Sequence, residues 1–221
     1  MKKILFIALG ILFLSAAAQA AVINFTDEGP PSDLDFSSAL GLPSFSIDIG
    51  SVEFTFTPGP PDAVNPPSLW WDNIDGFGVQ YSYEQDEIEG SEYLLLSFSK
   101  PFVLDTIYVA DLFNESGYTE YGWYQLDGGS RQTFFAEPDQ VLGAPGDNGE
   151  TMLNIGGITV ESILFTAPGL ITVAGNLQNH EYAVQGIAGS PVPVPPAVLL
   201  LGSGMLGLTA VWRRFKGLKK D

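Results

Sequence analysis

Acids and aromatics crowded into two short stretches hold most of the chemistry in this 221-residue chain. The run Glu84-Gln85-Asp86-Glu87-Ile88-Glu89-Gly90-Ser91-Glu92 sets its carboxylates around a turn-forming glycine. Calcium takes about six to eight oxygen ligands in tolerant geometry, so some of Asp86, Glu87, Glu89 and Glu92, joined by Asp72 or Asp75, could wrap Ca2+. The spacing is not that of an EF-hand, and a solvated loop capping a β domain is the plainer reading.

Trp70-Trp71 and the stretch Tyr118-Thr119-Glu120-Tyr121-Gly122-Trp123-Tyr124 offer flat faces on which sugar rings could lie, with carboxylates nearby to accept their hydroxyl protons. In a strand, alternation puts Tyr121 and Trp123 on one face and Tyr124 on the other. One of those faces must be core. The expected glycan contacts are Trp70, Trp71, Tyr121 and Trp123, with core packing the competing role for each.

Catalytic signals are sparse. His180 is the single histidine, in the turn-like run Asn176-Leu177-Gln178-Asn179-His180, and neither a Gly-x-Ser-x-Gly elbow nor a His-Glu-x-x-His pair is present. No glycine-rich phosphate loop follows a strand and opens a helix, so nucleotide chemistry is not expected. A glycosidase needs two carboxylates at a set separation, and a chain with 26 acids supplies candidates everywhere. The body is therefore read as a non-enzymatic module, with a secreted glycan-active enzyme using a carboxylate pair as the alternative.

The elements that must position these residues are strands. From Ala21 to Ile187, short apolar or alternating runs are separated by Gly, Pro, Asn and Asp. Val52, Phe54 and Phe56 alternate with Glu53, Thr55 and Thr57 as on a half-buried strand. Comparable runs are Val22–Phe25, Ser44–Ile49, Phe77–Tyr83, Tyr93–Phe98, Phe102–Leu112, Tyr121–Leu126, Gln132–Phe135, Thr151–Ile155, Ile158–Phe165 and Tyr182–Ile187. No helical period appears, and no βαβ rhythm. The prediction is an all-β body over residues 21–187, a single antiparallel β-sandwich, jelly-roll-like. Ser99-Lys100-Pro101 reads as a hairpin corner, and Asp127-Gly128-Gly129-Ser130 as the turn joining the strands around Trp123 and Phe134.

Charge is distributed unevenly. Lys2 and Lys3 open the chain and Arg213, Arg214, Lys216, Lys219 and Lys220 close it, leaving Lys100 and Arg131 as the body's cations against 25 acids, a formal charge near −23. Such a surface repels nucleic acid and stays soluble through self-repulsion. The absence of cysteine removes disulfides and thiol chemistry together.

Both ends carry apolar segments. Residues 1–20 read as a signal peptide, with Lys2 and Lys3, an apolar core from Ile4 to Leu14, and Ala18-Gln19-Ala20 as a small-x-small cleavage site. Residues 188–196 form a Gly/Ser/Pro linker. Residues 197–212 are apolar and uncharged, about 24 Å long as a helix against a hydrocarbon core of about 30 Å, and are expected to be a short transmembrane helix followed by a basic tail at 213–221. The positive-inside rule then puts the tail in the cytoplasm and the body outside.

Val192, Pro193, Pro195, Gly202, Ser203, Gly204, Arg213 and Arg214 together resemble a PEP-CTERM sorting signal of the VPLPA-like variant, in which Val-Pro-x-Pro precedes an apolar run and an arginine-rich tail. Val194 stands where the commonest form of that family has glutamate. The resemblance implies processing by an exosortase, transient anchoring in the inner membrane, and delivery to the cell surface or outside, in association with exopolysaccharide. It covers about the last 30 residues and says nothing of the body's ligand.

Overall fold

The computed structural model describes residues 20–26, 34–60, 66–81, 84–85, 87–115, 117–138, 149–173 and 175–192, all within one unit, Gln19–Val192. The expected signal peptide up to Gln19, Pro193 to Pro196, the expected transmembrane segment 197–212, the basic residues at 213–221, Asp86 and the residues beyond Val192 that resemble a sorting signal lie outside the described residues. Among the described residues no helix is long and apolar enough to cross a membrane.

Among the described residues the fold is all-β and antiparallel, as the spacing of apolar runs predicts, apart from one short 3-10 turn at Ser37–Ala39. Its strands are β1 (Ala21–Asn24), β2 (Phe45–Ile49), β3 (Val52–Gly59), β4 (Ser68–Asp72), β5 (Gly76–Tyr81), β6 (Glu84–Gln85), β7 (Ile88–Glu89), β8 (Tyr93–Ala110), β9 (Asn114–Glu115), β10 (Tyr118–Thr119), β11 (Tyr121–Leu126), β12 (Gln132–Phe135), β13 (Thr151–Thr166), β14 (Ile171–Val173), β15 (Asn176–Gln178) and β16 (Glu181–Pro191). Twelve of them form one continuous sheet in the order β12-β11-β13-β8-β16-β5-β4, with β1, β2, β3, β6 and β7 paired to its sides. The hairpins β9–β10 and β14–β15 stand apart from it.

Two long strands make the sheet curl. Strands β8 and β13 pair along both their halves, Ser97 opposite Ser162 and Phe102 opposite Val160. The expectation of a hairpin at Ser99-Lys100-Pro101 is thus corrected: the segment is a bend inside one 18-residue strand. Pro101 has no N–H to give a ladder, and here the register between β8 and β13 skips, so the chain can bulge without reversing. Gly156 and Gly157, with φ of 82° and 78°, fall in the other register shift of β13, a backbone that side chains with a Cβ resist.

The first half of β8 carries β3, and the second half carries β16, along its other side. The two halves therefore belong to opposing layers, with β3 and β11 facing β5 and β16 across an aromatic core. Phe56 of β3 stacks on Phe77 of β5 with centroids 4.0 Å apart and planes at 19°. Phe25 and Phe36 meet both rings edge-on. At the bend of β8, Phe98 and Phe102 stack at 4.9 Å and Phe54 closes on both.

Ala188 to Pro191, predicted to begin a linker, instead continue β16, pairing with β8 from Thr106 to Phe102 while Gly189 also faces Ala21 of β1. The small residues there meet crowding: a Cβ on Gly189 would collide with the Phe102 ring and the Val103 carbonyl. Gly-Ser composition reads as a flexible tether, but in a central strand it also allows close approach of neighbours.

Candidate functional site

Strand β11 lies between β12 and β13 and presents alternate side chains to opposite sides. Gly122, Tyr124 and Leu126 turn inward; Gly122 is forced, because a Cβ there would run into the rings of Tyr182 and Phe134. Tyr121 and Trp123 take the outer face, half-buried, as alternation predicts. Opposite them on β12 stand Phe135 and Thr133. Phe135 is 58% exposed, a large apolar area left in water.

These side chains form a contiguous strip. The Tyr121 ring lies 5.5 Å from Trp123 and 5.8 Å from Phe135, centroid to centroid. Beyond Trp123, the Arg131 guanidinium sits 4.4 Å over the indole centroid. On the other side, His180 packs 4.3 Å from Tyr121 and 5.5 Å from Tyr118.

The strip is held from behind and at its end. Tyr182, wholly buried, donates its hydroxyl to the Trp123 carbonyl at 2.9 Å, fixing the strand beneath the indole. Asp127 and Gly128 both take left-handed backbone, φ 48° and 66°, in the predicted turn between β11 and β12. One oxygen of Asp127 accepts the N–H groups of Glu161 and Ser162, each at 2.8 Å, where the bulge of β13 leaves them pointing outward. The turn that delivers Arg131 to the indole is thus anchored to the neighbouring strand.

His180 is 1% exposed. Its Nδ1 accepts the Tyr121 N–H at 3.2 Å, which puts the ring proton on Nε2. Burial holds its pKa below the usual histidine value of 6.5, so the ring is neutral at pH 7. The Nε2 atom is enclosed with no hydrogen-bond partner among the described residues, as is the Oδ1 atom of neighbouring Asn179.

The His180 backbone joins the strip to a cleft. Gly169 and His180 exchange hydrogen bonds at 2.8 and 3.1 Å, and Pro168 and Leu170, on either side of Gly169, line a cavity of about 290 Å³ with Tyr81 and the 89–92 turn. That volume is near the lower limit for a small-molecule site. Glu92, 6% exposed, faces inward there, and its Oε2 accepts the Glu89 N–H at 3.3 Å.

The remaining expected residues fall elsewhere. Trp71 is corrected from a surface platform to a core residue, 8% exposed, its Nε1–H donating to the Phe25 carbonyl at 2.6 Å. Alternation along β4 turns its neighbour Trp70 the other way, away from the β11 strip in the strand order. Glu87 precedes β7 and Glu89 ends it, yet among the described residues no three of His, Asp and Glu are disposed to hold a metal ion. Asp72 and Asp75 meet Asp111 instead: burial first, and then the Asp111 and Asp72 carboxylates, push the Asp75 carboxyl up to about 8. Arg131, His180 and Phe135 were not expected at the site. A signal for Arg131 existed, since it is one of two cations among 25 body acids and stands four residues after a turn aspartate.

No family model and no curated protein matches the chain. Among solved structures, it has a likeness to a family 35 carbohydrate binding module from Clostridium thermocellum, at 15% identity and a TM-score of 0.33, covering 60% of this chain and 91% of that one.

Proposed function

We propose that the protein is an exported glycan-binding module whose contact surface is the outer face of β11 and β12. The observation that carries this reading is the strip Phe135–Tyr121–Trp123–Arg131, aromatic, partly exposed and fixed from behind by Tyr182 and Asp127. Aromatic faces suit the C–H-rich sides of sugar rings, and the Thr133 hydroxyl on the same face can bond a sugar hydroxyl. Rigid strands hold such a surface ready, so little ordering entropy opposes binding.

Delivery belongs to the same proposal. The signal-peptide pattern at 1–20 and the Val192–Arg214 sorting pattern support export, anchoring in the inner membrane and release to the cell surface or its polysaccharide by an exosortase. Intact mass of the protein recovered from its host tests this half: a chain beginning near Ala21 and ending near Pro193 is expected, and a surface-delivered chain retaining Arg213 to Asp221 contradicts it.

Retention of the full chain on a panel of immobilised bacterial polysaccharides tests the other half. Trp123→Ala, with its fold checked by circular dichroism, should lose about tenfold or more in affinity, in line with about 1–3 kcal/mol for a stacked aromatic contact. Equal retention would remove the strip from the site, and turnover of the polymer would favour the enzyme reading.

A further inference from the structure

We infer that the sugar bound at the β11–β12 face is acidic, a ring carrying a carboxylate, and that Arg131 is the group that selects it. This deepens the glycan-binding proposal and rests on it. Arg131 is exposed in a body where acids outnumber cations by 25 to two, the setting in which an arginine is most readily claimed by a protein carboxylate. Among the described residues none pairs with it; its guanidinium lies over the Trp123 indole instead. The nearest acid before it in the chain, Asp127, spends one oxygen on Glu161 N–H, Ser162 N–H and the Ser162 hydroxyl.

A guanidinium resting on an aromatic face can still donate through its edge, and its planar fork matches the two oxygens of a carboxylate. Placed at the end of an aromatic strip, it would meet the charged substituent of a ring lying against Tyr121 and Trp123. The acidity of the body does not forbid this, because charges more than about 8 Å away are largely screened at physiological ionic strength.

The test compares one uronic-acid polymer with its carboxyl-reduced form, in which the rings remain and the charge is gone. The full chain in detergent micelles is titrated with each. The native polymer should bind about fivefold to tenfold more tightly, the preference should shrink in 0.5 M salt, and Arg131→Gln should abolish it. Arg131→Lys should restore part of the preference, since it keeps the charge and loses the fork. Equal affinity for the two polymers, or a preference that survives Arg131→Gln, would overturn the inference while leaving the glycan-binding proposal intact. Failure of both polymers to bind, when a neutral glycan is retained through Trp123, would likewise overturn it; failure of every glycan would overturn both.

Discussion

The imidazole of His180 lies 4.3 Å from the ring of Tyr121 and accepts that residue's own backbone N–H on Nδ1. One buried, neutral side chain therefore supports the first aromatic of the strip through both its ring and its main chain. Protonating Nδ1 would remove the acceptor and place a charge among tyrosine rings.

This gives an acid-side dependence. The folded-state pKa of His180 lies below its ordinary 6.5, so the folded protein binds fewer protons than the unfolded one as pH falls. The contribution is present above pH 6.5 and lost below it. His180→Gln, whose amide oxygen can accept the Tyr121 N–H, should flatten the decline in melting temperature between pH 6.5 and 5. An unchanged slope would show that His180 does not titrate across folding.

Asp75 has the opposite sign. Its carboxyl, pushed up to about 8 from an ordinary 3.8, keeps its proton in the fold at pH values where the unfolded chain has lost it. Stability from this group is full below about pH 4 and declines as pH rises towards 8. Asp75→Asn should therefore raise the melting temperature at pH 8 and change it little at pH 4. Parallel wild-type and variant curves across that range would contradict the assignment.

The stacked pair Phe56 and Phe77 joins the two layers at the centre of the core. Phe56→Ala should cost about 3–5 kcal/mol, and so lower the melting temperature by on the order of 10 °C for a body of this size. A loss below about 1 kcal/mol would mean that the layers are held together elsewhere.

How much of this could be read from the sequence depended on whether local pattern or distant pairing decided the outcome. Alternation placed Tyr121 and Trp123 opposite Tyr124, and the Asp127–Ser130 turn followed from residues that tolerate left-handed backbone. Pro101 misled, because a proline between two alternating runs signals a corner, and only the partner strand β13 reveals that both runs share one ladder. Gly189 and Ser190 misled in the same way: small residues mark a tether in composition and a crowded central strand in space. The Trp70-Trp71 pair could be split by alternation, but which of the two faced the core depended on Phe25, 46 positions away in the sequence from the Trp71 donor. His180 carried no local sign of its role, since its partner Tyr121 lies 59 positions away.

Sugar binding on the outer face of β11 and β12 is tested most directly by following the tryptophan indole N–H resonances of the full chain during titration with the polysaccharide it retains best. The Trp123 signal should shift with ligand, together with backbone signals of Tyr121, Arg131 and Phe135, while the buried Trp71 indole stays in place. Saturable shifts confined to Trp70 or to the 89–92 turn, with Trp123 unmoved, would contradict it.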